Sequence, residues 1–142
     1  MSGPRLADIV RRQSLLLGDL FAGAAWEIVD EGPEVCELRT SWVEVVLAYD
    51  WRDQWVTAML KPCTVPDDMT DSYPGHLWLK FCGIETQELR KSALDDRQII
   101  DALKLIRPIV ELFKDDRAAR DAFWFVRGYS HAYTEWASGS WD

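Results

Sequence analysis

Asp67-Asp68-Met69-Thr70-Asp71 spells the DDxxD pattern with which some enzymes hold magnesium against a diphosphate. In those enzymes the carboxylates stand on a long helix lining an all-helical cavity, where fixed geometry lets them share metal ions. Here they fall in residues 62–76, a loop-like stretch carrying Pro62, Pro66 and Pro74, and no basic phosphate-binding motif accompanies them. They read as turn-forming and solubilising acids, or as an acidic contact patch. Asp50 and Asp53 form a second pair that imitates an acid/base site. They flank a short polar link, and a tip open to water has no means of raising one carboxyl pKa above the other. Cys36, Cys63 and Cys82 show no CxxC spacing, and with His76 and His131 they share no ligand-spaced face. No GxSxG, P-loop or dinucleotide glycine pattern occurs. We therefore expect a non-enzymatic protein with no cofactor and no metal.

The elements that hold these residues are easier to read. Ser41–Lys61 contains two runs of alternating residues joined by Asp50-Trp51-Arg52-Asp53. Trp42, Glu44, Val46 and Ala48 interleave with Val43, Val45, Leu47 and Tyr49. Trp55, Thr57 and Met59 interleave with Val56, Ala58 and Leu60. Such period-two runs, rich in β-branched and aromatic residues, predict an antiparallel hairpin. Val43, Val45, Leu47, Val56, Ala58 and Leu60 should face the core. Before it, Ala24–Asp30 and Val35–Thr40 are strand-like, the latter feeding into Trp42–Tyr49 as one long strand with an irregularity at Thr40-Ser41. Leu77–Cys82 alternates again and predicts a further strand.

Residues 4–21 predict one amphipathic helix, with Leu6, Ile9, Val10, Leu16, Leu17, Leu20 and Phe21 on a single stripe. Arg11-Arg12 ahead of an apolar run imitates a twin-arginine export signal, but Asp19 interrupts that run. From Glu85 onward the chain turns helical. Ile99, Ile100, Leu103, Ile106, Val110 and Phe113 make one stripe, with Pro108 set to kink or restart it. Ala119, Phe123, Val126, Ser130 and Tyr133 make another. The predicted architecture is α+β: an N-terminal helix, an antiparallel meander of four to five strands, and two to three C-terminal helices packed on one sheet face. The 142 residues suit one domain, 1–142, without linkers or repeats.

Composition narrows the function. Asp and Glu number 24 against 16 Lys and Arg, for a net charge of −8. That sign repels phosphate backbones and anionic lipid, so neither nucleic acid nor membrane is an expected partner. An odd number of cysteines without CxxC spacing and the absence of a long apolar run point to a cytoplasmic, soluble chain. Tryptophan is over-represented, at eight residues. Trp26, Trp42, Trp55, Trp78 and Trp124 fall within strand or helix patterns and should be core or half-core. Trp51 stands between Asp50 and Arg52 where no core is expected. An indole beside carboxylates suits a protein-interface hot spot.

A helix, a strand-rich block centred on SWVEVVLAYDWRDQWVTAML, an acidic loop and C-terminal helices resemble the small immunity proteins of bacterial polymorphic toxin systems. The resemblance spans about residues 5–115 and rests on Val45-Val46-Leu47-Ala48-Tyr49-Asp50-Trp51-Arg52-Asp53, where a strand runs into an aspartate-arginine-acid link. It implies a protein that binds a cognate toxin and blocks it, and it transfers no fixed functional residues. From exposure and charge, the expected partner-binding residues are Asp50, Trp51, Arg52, Asp53, Asp67, Asp68, Asp71 and Tyr73, facing a protein with a basic contact surface. Another acidic protein-binding inhibitor, phage-encoded or nucleic-acid-mimicking, and a small-ligand-binding protein remain as alternatives.

Overall fold

Period-two alternation builds the middle of the molecule, and helical stripes build its two ends. The computed structural model describes residues 5–64, 73–84 and 93–137, with side chains as far as Ser130. The chain runs α1 (Leu6–Arg11), α2 (Ser14–Leu20), β1 (Glu27–Glu31), β2 (Val35–Arg39), β3 (Val43–Asp50), β4 (Trp55–Pro62) and β5 (Tyr73–Pro74). It continues through α3 (Gly75–Phe81), α4 (Asp96–Leu105), α5 (Arg107–Leu112) and α6 (Asp116–Ala137). The strands form an antiparallel meander in the order β1-β2-β3-β4-β5, so the class is α+β.

The β3–β4 register puts Val45 opposite Leu60, Leu47 opposite Ala58 and Tyr49 opposite Val56. On the other side of β3, Leu38 lies opposite Val45 and Cys36 opposite Leu47. These residues share one face because side chains alternate along a strand. Val43, Val45, Leu47, Val56 and Leu60 are buried, while Ala58 packs half-buried against the same cluster. Leu6, Phe21, Ile99, Leu103, Val110 and Phe123 bring the helices into that core. The alternate residues of β3 and β4, among them Val46, Ala48, Trp55 and Met59, stay partly exposed. One face of the sheet is thus covered by helices, and the other is partly exposed, except at Lys61, which is buried.

Several elements differ from the sequence expectation. The N-terminal stripe is buried as expected, with Leu16 only partly so, but the helix breaks at Arg12-Gln13. Both side chains at that corner bind Asp96 at the start of α4, Arg12 Nη2 and Gln13 Nε2 each donating at 2.7 Å. Residues 35–49 are not one long strand. The chain reverses at Thr40, whose Oγ1 accepts hydrogen bonds from the backbone N–H of Trp42 (3.3 Å) and Val43 (3.1 Å). A side-chain oxygen makes this turn without glycine or proline. Leu77–Cys82 is not a strand either: Leu77–Phe81 lies in α3 and Cys82 caps it, with Trp78 and Leu79 buried and Lys80 outward. The fifth strand is instead Tyr73–Pro74, inside the stretch expected to be loop. Pro108 acts as expected, since α4 ends at Leu105 and the proline sits in the first turn of α5.

Candidate functional site

The sequence-predicted site divides into a hairpin tip, a loop segment and one aromatic residue. The tip is Trp51–Gln54 between the paired residues Asp50 and Trp55. Asp50 holds it in shape: its Oδ1 accepts hydrogen bonds from the backbone N–H of Arg52 (2.8 Å) and Asp53 (3.2 Å). The Gln54 N–H closes the turn onto the Asp50 carbonyl at 2.7 Å. Gln54 adopts a left-handed φ of 56°, a conformation that costs a non-glycine residue roughly 1 kcal/mol. A tether offsets that cost. Gln98 Nε2 on α4 donates to the Gln54 carbonyl at 2.9 Å, and Asp95 caps α4 by accepting from the Gln98 N–H at 3.0 Å.

On this stiffened link Trp51 is 54% exposed, and its ring meets Tyr49 edge-on at 4.9 Å. Burial pushes the Tyr49 phenol pKa above its ordinary value, and the carboxylates of Asp50 and Asp95 act in the same direction. Arg52 and Asp53 are exposed. The β1–β2 turn lies at the same end of the sheet, since the Tyr49 N–H donates to the Glu34 carbonyl at 2.9 Å. The Asp50 and Asp95 carboxylates thus lie near enough to act on the Tyr49 phenol beneath the indole, and Arg52 and Asp53 stand exposed next to Trp51 on the link. The arrangement offers an apolar anchor in a negative field, chemistry suited to holding a cationic surface.

The remaining predicted residues do not join this tip. Asp67, Asp68 and Asp71 lie outside the described residues. Tyr73 leaves the contact set. It is 6% exposed, pairs from β5 with Leu60 of β4, and packs against Trp78 at 6.0 Å and Phe123 at 5.9 Å, a core position instead of the exposed one expected. Among the described residues, no group of three or more His, Cys, Asp or Glu side chains could hold a metal ion. None of the described helices is long and apolar enough to cross a membrane.

Two surfaces escaped the sequence reading. Trp124, expected in or near the core, is 56% exposed on α6, with Phe125 and Tyr129 exposed nearby. Lys80 Nζ donates to the Tyr129 hydroxyl at 2.7 Å and Arg127 stands over the Trp124 ring at 5.6 Å, so this aromatic group wears a cationic collar. The second is the solvent face of the sheet. Its signal was present in the alternation of Glu44, Val46 and Ala48 with the core residues. Comparison with family models, with curated proteins and with solved structures gives no match for this chain.

Proposed function

We propose that this chain is a non-enzymatic immunity protein that neutralises a cognate bacterial toxin by direct contact in the cytoplasm. Its partner is a toxin domain with a basic contact surface, and neither nucleic acid nor membrane takes part. The observation that carries the reading is the hairpin tip, where a largely exposed indole sits on a link fixed by Asp50 and Gln98, with Asp50 and Asp53 close to it in the chain. The same strand and link carry the resemblance to immunity proteins. The chemistry divides in two: carboxylates speed encounter with a basic surface and orient it, and a desolvated indole holds the docked complex. A rigid tip loses little further freedom on binding, which favours affinity.

The test begins with the neighbouring gene, which should encode a large secreted protein with a variable C-terminal domain. Expressed in a bacterial host, that C-terminal domain should arrest growth, and co-expression of this chain should restore it. Arrest unrelieved at matched expression, with no complex on size-exclusion chromatography, rejects the reading.

A further inference from the structure

We infer that the solvent face of the sheet is a second docking surface, continuous with the hairpin tip, and that its occupant is a basic protein segment carrying an aliphatic or aromatic anchor. The inference deepens the immunity reading by naming where most of the partner would sit. Register places Val35 beside Ala48 and Ala48 beside Thr57, while Val46 lies beside Met59 and Met59 beside Pro74. These positions alternate with the buried set, so they share the outer face, and Trp55 extends the apolar strip to the tip. Carboxylates border the strip. Glu37 lies beside Val46, Asp30 beside Glu37, and Glu27 beside Arg39 in the next row. Arg39 is already engaged by Glu44 at 2.9 Å, whereas Glu27, Asp30 and Glu37 form no ion pair among the described residues.

Charge decides the occupant. An apolar centre with a polar rim is the layout of a protein interface, and this rim is net negative, with Glu27, Asp30, Glu37 and Glu44 against Arg39 and Lys61. Phosphate backbones and anionic lipid would meet repulsion there, while lysines and arginines around an apolar knob would meet attraction. The exposed aromatics of α6 are the competing surface. Their neighbours Lys80 and Arg127 give the wrong sign for a basic partner.

The test uses a phage-displayed library of random peptides panned against the full chain, with selected peptides mapped by amide hydrogen exchange. Enriched peptides should combine Lys or Arg with Leu, Phe or Trp, and should protect β2, β3 and β4. Glu37→Lys with Glu27→Lys, and separately Met59→Lys, should each weaken their binding by about tenfold or more. Unchanged far-ultraviolet circular dichroism and melting temperature would show that these partly exposed positions leave the fold intact. Acidic selected peptides, protection confined to α6, no enrichment, or binding indifferent to the three substitutions overturns the inference. None of these outcomes depends on the toxin, so failure of the growth-rescue experiment and failure of this surface are separately visible.

Discussion

Cys36 and Trp51 show how burial sorts residues that composition treats alike. Cys36 is fully buried, and burial pushes its thiol pKa to about 11 from an ordinary value of 9.0, with the Glu31 carboxylate adding and Arg11 opposing. A folded pKa above the unfolded one contributes stability that is present in full below pH 9 and is lost as pH rises through about 11. Chemical denaturation across this window should show a decline that Cys36→Ala reduces by on the order of 2–3 kcal/mol. A thiol reagent at neutral pH should label exposed Cys63 first and Cys36 only on unfolding. At the tip, Trp51→Ala should change stability by less than about 0.5 kcal/mol because the ring is largely exposed. With the toxin domain in hand, the same change should speed dissociation by the equivalent of about 2 kcal/mol. Asp50→Ala should behave differently, costing about 1 kcal/mol of folding stability through the two amides it leaves without their partner. Urea denaturation and surface-plasmon kinetics separate the two effects.

At the scale of elements, β3 and β4 are the frame on which the helices and the tip depend. Leu47 is fully buried between Cys36 and Ala58, so Leu47→Ala should cost about 2–5 kcal/mol in urea denaturation. A loss below about 0.5 kcal/mol would mean that β3 is not central. Tyr73 gives the sharper contrast with a surface role. Tyr73→Ala should cost about 3 kcal/mol or more, because its ring fills space between Trp78 and Phe123. Trp42 ties the sheet to the helices through its Nε1, which donates to the Val110 carbonyl at 3.0 Å, and through Phe21, whose ring meets it edge-on at 6.2 Å. The break between α4 and α5 follows from covalent chemistry, since Pro108 lacks the N–H that a continuous helix would need.

For the whole molecule, a net charge of −8 acts at long range, beyond any single contact. Association with the proposed basic toxin domain should be fast at low salt and fall as ionic strength rises, because screening shortens the reach of the field to about 10 Å at 0.1 M. Neutralising Asp53, Asp67 and Asp68 to Asn should slow association and flatten its salt dependence, with a smaller effect on dissociation. Stopped-flow or surface-plasmon rates at two salt concentrations test this. An association rate indifferent to salt would remove electrostatic steering from the account.

How much of this was legible in the sequence differs by element, for physical reasons. The α+β class, the β3–β4 hairpin and its core face were legible, because a period of two assigns each side chain to a face before any partner is known. The N-terminal stripe was legible as a face but not as two helices, since the corner at Arg12-Gln13 is held by Asp96, remote in sequence. The turn at Thr40 was legible only as an irregularity, because a threonine hydroxyl makes it, where glycine, proline, asparagine or aspartate would have signalled a reversal. Leu77–Cys82 was ambiguous, since a short apolar run fits a strand or a buried helix equally. The tip's exposed indole was readable from its charged neighbours. That Trp124 is outside and Tyr73 inside was decided only by tertiary packing: periodicity says which residues share a face, and only the assembled neighbours determine which face is covered.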